Sequence, residues 1–310
     1  MLTDNADIVH SLTTIRDYIR WAASQFSEAE LVYGHGTLTA LDDAAALVLR
    51  VLHQPYDLVD FYLESTLTLV EREKLISIIK MRISTRKPTA YLTQDARFAS
   101  LSFYVDERVL VPRSPIAELI LEQFTPWVDA EQVYRVLDLC TGSACIAIAC
   151  AYAFPEAQVD AVDLSEAALE VAAINVEKHQ LEGQVQLWHS DLFEALPEER
   201  YDIIVSNPPY VSIEEWQELS PEFHNEPKMG LVAEQEGIQL ALRILIDAAE
   251  YLSDQGILVV EVGSSAQTLQ DTLPNVPFFW LDFERGGDGV FLLTAEQVNQ
   301  FHSLFKAALI

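Results

Sequence analysis

The stretch that decides the fold lies at residues 133–150, which read VYRVLDLCTGSACIAIAC. Residues 133–139 form an apolar run of strand length, and residues 146–154 follow with a continuous apolar pattern of helical length. Between them lies a short polar segment that contains Gly142, a residue that lets the backbone turn tightly. The stretch therefore predicts a strand, a turn and a helix, which together open an α/β fold.

The same order of strand and helix repeats along the rest of the chain. Apolar runs at residues 159–162, 185–188, 203–205 and 257–262 alternate with helical patterns near residues 165–179 and 237–252. Two further β-like runs, at residues 278–283 and 290–293, follow. Alternation of this kind predicts a doubly wound α/β domain with a largely parallel sheet.

The residues that precede this domain have a different pattern. Ile8, Leu12, Ile15 and Ile19 recur at steps of three and four, as one face of a helix requires, and helical periodicity continues until Pro88. We predict a helical domain at residues 1–87, a β-hairpin linker at 88–112 and the α/β domain at 113–310. The helical part is either a partner-binding bundle or a structural cap, and its sequence favours neither.

The charge of the chain is strongly negative. The sequence has 19 basic and 48 acidic residues, a net charge of −29, and residues 91–310 carry −26 of it. Such a surface repels the phosphates of nucleic acid and attracts a basic partner. A solvated acidic surface without a partner is the alternative interpretation.

Several classes of protein are not expected from this composition. The sequence has no apolar run near the roughly 20 residues that cross a bilayer and no secretory signal at its N-terminus. Cys140, Cys145 and Cys150 are spaced by five residues, and neither they nor the seven histidines have the spacing of a metal site. We therefore expect a cytoplasmic protein with reduced thiols and without a metal, and nothing requires more than a monomer.

Three carboxylates follow successive strands of the predicted sheet. Asp138 lies near the end of the first strand, Asp163 follows the second and Asp191 follows the third. In open α/β sheets, ligands bind beyond the carboxyl ends of the strands. Asp163 can accept both hydroxyls of a ribose, the segment at Asp191 can receive the amine of adenine, and Leu192 can cover the ring. These residues predict a nucleoside site, and the loop lacks the three glycines that a pyrophosphate needs.

A second candidate site follows the fourth strand, where residues 207–210 read Asn-Pro-Pro-Tyr. The Asn207 side-chain oxygen and the Pro208 carbonyl can accept both hydrogens of one planar NH2 group, because two prolines stiffen the loop. Tyr210 can stack on that group. Two such acceptors orient a weakly nucleophilic nitrogen toward an electrophilic methyl and stabilise its developing charge. The loop therefore predicts methyl transfer to an amide or amino nitrogen, with Asn207, Pro208, Pro209 and Tyr210 as catalytic residues.

At this point the sequence resembles the HemK-like protein-glutamine N5-methyltransferases. The resemblance rests on residues 109–113 (VLVPR), the loop at 138–144, residues 207–210 and residues 261–263 (EVG). Residues 111–118, 224–227 (HNEP) and 286–291 (GGDGVF) are similar to the branch that acts on large-subunit ribosomal protein L3. The other branch acts on peptide-chain release factors and remains an alternative.

The resemblance implies a seven-stranded, Rossmann-like class I methyltransferase sheet behind a helical substrate-recognition domain, with S-adenosylmethionine as methyl donor and a glutamine as acceptor. A basic ribosomal protein would be the substrate. The residues implied in donor binding are Asp138, Cys140, Thr141, Gly142, Ser143, Ala144, Asp163, Leu164, Asp191, Leu192 and Asn207. An adenine-N6 methyltransferase, which would share the NH2 clamp, and a non-catalytic ribosome assembly factor are further alternatives.

One position departs from the family pattern, which usually has glycine where this sequence has Ala144. Alanine disfavours a positive φ, so we expect donor binding to survive provided that φ at Ala144 is negative. Arg113 either pairs with an acidic residue or approaches the active site. Gly286, Gly287 and Gly289 more readily form a tight turn than a phosphate loop.

Overall fold

The structure is a computed structural model that describes residues 5–284 and 286–309. The chain divides into two compact units. The helical unit comprises the chain up to Ala96 together with Val105–Glu107 and Leu219–Asn225, and the α/β unit comprises Arg97–Tyr104, Arg108–Glu218 and the chain from Glu226 onward. The assignment of residues 1–87, 88–112 and 113–310 to separate functional domains stays a prediction.

The helical unit is built from short amphipathic helices around an apolar core. These helices are α1 (Asn5–Ser11), α2 (Ile15–Glu28), α3 (Ala40–Val51), α4 (Leu69–Thr85) and α5 (Thr89–Thr93), with a 3-10 helix at Asp60–Glu64. Thr14 begins α2 with a capping box in which it pairs with Asp17, and Thr68 and Glu71 form the same motif at α4. Tyr18, Phe26 and Leu47, each fully buried, lie in the core.

The expected hairpin is shorter than the stretch predicted for it. Strands β1 (Ala96–Phe98) and β2 (Leu101–Phe103) pair with each other, and helix α5 occupies the beginning of the 88–112 stretch. Ala99 and Ser100 both have positive φ, which places the reversal of the chain between the two strands.

The α/β unit contains a seven-stranded sheet. Its strands are β3 (Arg135–Leu139), β4 (Gln158–Asp163), β5 (Val185–His189), β6 (Tyr201–Ser206), β7 (Leu252–Glu261), β8 (Phe279–Trp280) and β9 (Val290–Thr294). They are ordered β5-β4-β3-β6-β7-β9-β8, and β9 runs antiparallel to both of its neighbours while the first five are parallel. The predicted fold class, a seven-stranded Rossmann-like sheet, is confirmed.

Side chains alternate strictly between the two faces of this sheet. Val136, Ile203 and Val259 belong to one apolar core, while Leu137 and Ile204, their neighbours in sequence, belong to the other. Both faces are therefore covered, as in other parallel sheets, and this is why the central strands read as continuous apolar runs. Asp163 and Glu261 end β4 and β7 and line the candidate site, whereas the buried Asp160 within β4 binds the Tyr201 hydroxyl away from it.

Helices connect the strands and cover the sheet. They are α6 (Ile116–Leu121), α7 (Cys145–Ala153), α8 (Glu166–His179), α9 (Ile213–Glu218), α10 (Lys228–Leu231), α11 (Gln239–Tyr251), α12 (Ala266–Thr272) and α13 (Ala295–Ala308), with 3-10 helices at Ala130–Gln132, Phe223–Asn225, Gln235–Gly237 and Gly263–Ser265. Among the helices of residues 5–284 and 286–309, none is long and apolar enough to cross a membrane.

Several elements differ from the sequence-based expectation, which did not include the short helices α6, α9, α10 and α12. The run predicted as a strand at residues 278–283 supplies only Phe279 and Trp280 to the sheet, because β8 lies at its edge and pairs with β9 alone. Helix α13 was not predicted, although Thr294 and Gln297 form a capping box at its start and were a signal for it.

Candidate functional site

A crevice of about 280 Å³ opens beyond the carboxyl ends of the strands, within the α/β unit. We name its two parts by the ligands expected there. The donor half is lined by residues 140–143, 145, 146, 162–165, 168 and 190–192. The acceptor half is lined by residues 108–114, 207–211, 227, 229–232 and 261. The crevice thus brings together the ends of β3, β4, β5, β6 and β7, as the fold predicts.

Asp138 lies beneath the donor half rather than in its wall. The side chain is fully buried, and one carboxylate oxygen accepts hydrogen bonds from the Thr141 hydroxyl at 2.5 Å and from the Ala147 amide at 3.0 Å. Burial raises the pKa of Asp138 to about 7, although both hydrogen bonds act in the opposite direction. Asp138 therefore supports the loop between β3 and α7 and is not among the residues that line the crevice.

Asp163 lies at the end of β4 and lines the donor half. One carboxylate oxygen accepts the Gly142 amide and the other accepts the Ser165 amide, both at 2.8 Å. Burial raises the pKa of this carboxyl, whereas the backbone amides of Ser165 and Gly142 lower it. These bonds fix the orientation of the carboxylate, so that its remaining lone pairs face the crevice as ready acceptors for hydroxyl groups.

Asp191 and Leu192 follow β5 and also line the donor half, as does the half-exposed Leu164. The Asp191 carboxylate forms an ion pair with Arg243 of α11 at 2.9 Å, which the sequence pattern did not reveal. This pair holds the carboxylate at the rim of the crevice. Leu192 has a φ of +51° and lines the crevice, so its side chain offers an apolar contact there.

The loop at residues 140–144 contains several residues of positive φ. Cys140, Thr141, Gly142 and Ser143 line the crevice, but the methyl group of Ala144 lies in the apolar core. The φ of Ala144 is +62°, so the condition of a negative φ, on which undisturbed donor binding was expected, is not met, and the residue carries the strain that glycine would avoid. The strain is local to the backbone, because the methyl group does not face the donor half.

A residue that the sequence reasoning missed anchors this loop. Asn175 of α8 is fully buried and donates hydrogen bonds from its amide to the carbonyls of Ser143 at 2.9 Å and Tyr104 at 3.0 Å. Its side-chain oxygen accepts the Tyr104 amide at 2.7 Å. The Asn175 side chain therefore anchors the loop at residues 140–144 to α8 and to the Tyr104 backbone.

The chemistry of the donor half suits a nucleoside better than a phosphate. Its wall contains two carboxylates, Asp163 and Asp191, and no lysine or arginine among the described lining residues. Space beside Gly142 is open, since an added Cβ would meet no heavy atom within 4 Å. The half therefore offers acceptors for ribose hydroxyls and an amine, and nothing that neutralises a pyrophosphate.

The loop at residues 207–210 lines the acceptor half. Both of its ends are fixed: the Ser206 hydroxyl bonds the Leu139 carbonyl at 2.8 Å, and Val211 pairs with Val232 in an isolated bridge. Within the described part of the chain, no residue donates a hydrogen bond to the Asn207 side chain or to the Pro208 carbonyl. Two acceptors on a rigid loop thus line the crevice without protein partners.

Tyr210 is held from three directions. Its hydroxyl donates to the Glu261 carboxylate at 3.1 Å, and its main-chain carbonyl accepts the Ser265 hydroxyl at 2.7 Å. Its ring lies against Gly263. Burial, with the nearby negative charge of Glu261, raises the pKa of the Tyr210 phenol well above its ordinary value, so it stays protonated.

Arg113 does both things that the sequence left open. Its guanidinium makes a bidentate ion pair with the buried Glu226, at 2.7 and 2.9 Å, and it also lines the acceptor half. Glu226 in addition accepts the Val111 amide at 2.9 Å. The motifs at residues 109–113 and 224–227 therefore join through this pair and build one wall of the acceptor half.

The cysteines and glycines behave as small structural residues. Burial raises the pKa of the Cys140, Cys145 and Cys150 thiols, which keeps them protonated at neutral pH. Among the described residues, no group of three histidine, cysteine or acidic side chains could hold a metal ion. Gly289 packs against the backbone of Gly263 and forms the turn before β9.

Comparisons with known proteins identify methyltransferases as relatives of this chain. The family model described as "Methyltransferase small domain" matches residues 117–231. The chain is similar to the ribosomal protein uL3 glutamine methyltransferase of Francisella tularensis, with 44% identity over 97% of this chain and 96% of the relative. It is also similar to the protein of the same name from Neisseria meningitidis, with 47% identity over 93% of this chain and 95% of that relative.

Proposed function

Since this chain belongs to the family of ribosomal protein uL3 glutamine methyltransferases, we propose that it methylates the side-chain amide nitrogen of a glutamine in ribosomal protein uL3. S-adenosylmethionine supplies an electrophilic methyl group on a sulfonium. The observation that carries the proposal is the pair of partnerless acceptors, Asn207 and Pro208, on the wall of a crevice suited to a nucleoside.

The donor half holds the nucleoside of the donor. Asp163 accepts the ribose hydroxyls, because its carboxylate is already oriented by two backbone amides. Leu192 and Leu164 would contact the adenine, and the segment at Asp191 would receive its amine. Thr141, Gly142 and Ser143 form the floor, and Cys140 lines the same wall. Asp138 and Ala144 support this floor from below.

The acceptor half grips the amide. The Asn207 side-chain oxygen and the Pro208 carbonyl accept the two N–H groups of the glutamine, and Pro209 keeps the loop rigid. An amide lone pair is delocalised, so orientation and the fixed dipoles of these acceptors favour attack. As the new N–C bond forms, the bonding pair of the old S–C bond stays on sulfur. The nitrogen then releases one proton, which needs no strong base.

The negative charge of the chain supports a basic protein as substrate. A net charge of −29 attracts lysine- and arginine-rich segments over a Debye length of about 8–10 Å. It disfavours bare nucleic acid for the same reason. We propose further that the enzyme works as a monomer in the cytoplasm. Because added salt screens the attraction between the acidic chain and a basic substrate, raising the salt concentration should raise KM for uL3 and leave kcat unchanged.

Mass spectrometry of purified uL3 after incubation with the chain and labelled donor tests the proposal. We expect one added methyl group on a glutamine, and Asn207→Ala should lower the rate about 100-fold or more without weakening donor binding. Asn299→Ala is a matched control, since it removes an amide on the exposed side of α13. A release factor in the same assay should stay unmodified; its methylation in place of uL3 would overturn the choice of substrate.

A further inference from the structure

Glu261 is a buried acid of the crevice that the proposed mechanism does not use. It ends β7, its side chain is 6% exposed, and it lines the acceptor half. Both carboxylate oxygens are engaged: one accepts the Tyr210 hydroxyl at 3.1 Å and the other accepts the Ser114 hydroxyl at 2.5 Å. Burying a carboxylate costs free energy unless it is hydrogen-bonded, and these two hydrogen bonds offset that cost inside the crevice.

Gly263, two residues further along, restricts the same tyrosine. Its φ is +44°, and an added Cβ would lie 2.4–3.0 Å from three atoms of the Tyr210 ring. A Cβ added at Gly289 would overlap the backbone of Gly263. The Gly289 carbonyl also accepts hydrogen bonds from the Val262 and Gly263 amides. The ring therefore has a fixed backing surface as well as a fixed hydroxyl.

From these contacts we propose that Glu261 is a positioning residue that acts through Tyr210. Glu261, itself oriented by Ser114, fixes the phenol, while Gly263 fixes the ring plane. The tyrosine is thereby held in one orientation next to the Asn207 and Pro208 acceptors, ready for a flat carboxamide. This inference rests on the proposed function, because it assigns a supporting role in that same acceptor site.

The physical gain is preorganisation. A tyrosine that is free to rotate about two side-chain torsions must be ordered each time the substrate binds. A displacement of about 1 Å at a reacting centre can lower a rate by roughly 100-fold. Loss of Glu261 should therefore appear in kcat, whereas donor affinity should be unchanged, because Glu261 lines only the acceptor half.

A double-mutant cycle measures whether Glu261 acts through the tyrosine. Glu261→Ala and Tyr210→Phe should each lower kcat for uL3 by about 10-fold to 100-fold. The double variant should be no slower than the slower single variant, because without the hydroxyl the carboxylate has nothing to position. Glu261→Gln should recover most of the rate, since the amide oxygen of the glutamine can still accept the hydrogen bond from the Tyr210 hydroxyl. Multiplicative losses, or a Glu261→Gln variant as slow as Glu261→Ala, would overturn the proposal.

The chain offers a matched control for the loss of a buried tyrosine–carboxylate bond. The Tyr201 hydroxyl donates to Asp160 at 2.9 Å, and both side chains are buried at the start of β6 and within β4, away from the crevice lining. Tyr201→Phe should lower stability as Tyr210→Phe does and leave kcat unchanged. An equal loss of kcat in both variants would mean that stability, not positioning, explains the effect.

A readout independent of activity separates this inference from the proposed function. In a crystal structure of Glu261→Ala, the Tyr210 ring should be displaced from Gly263 or occupy more than one orientation. An unmoved, well-ordered ring would refute the positioning role even if uL3 is methylated. Conversely, a wild-type chain that leaves uL3 unmodified would refute the substrate assignment, while the ring position would still decide the role of Glu261.

Discussion

Replacing Asp138 by asparagine tests the electrostatics beneath the donor loop. Burial raises the pKa of this carboxyl from 3.8 to about 7, against the hydrogen bonds from Thr141 and Ala147. Between these two pKa values, the folded protein retains a proton that the unfolded chain has lost. Rising pH therefore favours unfolding, and the stability that this group contributes at low pH declines as the pH rises toward 7.

The size of the effect follows from the shift. At 1.36 kcal/mol per pKa unit, a shift of roughly three units corresponds to about 4 kcal/mol over the whole range. Part of this contribution to the free energy of unfolding is already lost below pH 5, so its decline between about pH 5 and pH 8 is about 2–3 kcal/mol. Asp138→Asn keeps an oxygen for both donors but does not titrate, so this part of the decline should disappear.

Urea unfolding of the two proteins without donor, at half-unit pH steps, measures the difference in their free energies of unfolding. Burial also raises the pKa of Glu261, which titrates in both proteins and cancels in the difference. Asp163 is coupled to Asp138 by charge repulsion, so removing the Asp138 charge should also lower the pKa of Asp163, and this coupling is part of the measured difference. We expect the variant to gain stability relative to the wild type as the pH rises. Two parallel curves would refute the argument, because they would mean that Asp138 titrates alike in the folded and unfolded states.

Three further predictions concern single residues of the crevice. Gly263→Ala should slow methyl transfer about 100-fold, because its Cβ would displace the Tyr210 ring. Gly286→Ala, which also has a positive φ but no neighbour within 4 Å of the added Cβ, should keep the wild-type kcat. Equal rates for the two variants would contradict the packing argument. Asn175→Ala should weaken donor binding about 10-fold in calorimetry, since it releases the donor loop and leaves buried carbonyls without partners; an unchanged Kd would remove its anchoring role. Ala144→Gly should change stability by less than about 1 kcal/mol, because relief of the positive φ offsets the loss of a buried methyl group worth about 0.8 kcal/mol. Its Kd for the donor should also stay within about threefold, and a large gain in affinity would mean that the alanine obstructs the donor.

The sequence was most informative where local pattern decides structure. The central strands read as apolar runs because both of their faces are covered, and the helices between them were recognised by length and spacing. Polar residues at strand ends, such as Asp163 and Asn207, could be assigned to a site because parallel strands bring their carboxyl ends to one edge of the sheet. The edge strand β8 was predicted too long because edge pairing is set by a single neighbour.

Contacts between distant residues could not be read in this way. Glu261 belongs to a motif that the sequence singled out, but its partners Tyr210 and Ser114 lie 51 and 147 residues away. Arg113 pairs with Glu226 and Asp191 pairs with Arg243, and in both pairs the partners are too far apart in sequence for a local pattern to reveal the contact. Ala144 shows the same limit for the backbone, because its positive φ comes from the tight turn into α7 and not from the preference of alanine.

The sequence alone thus determined the fold class and the order of the central strands with the helices between them, and it predicted the loop that would accept the NH2 group. These follow from periodicity, apolar run length and residue chemistry, all of which act over a few positions, whereas the family came from the resemblance of whole motifs. The tertiary structure decided which side chains face the crevice, which lie beneath it and which hold Tyr210 in place. Those outcomes depend on strand register and burial, and a shift of one residue in a strand exchanges the two faces of the sheet.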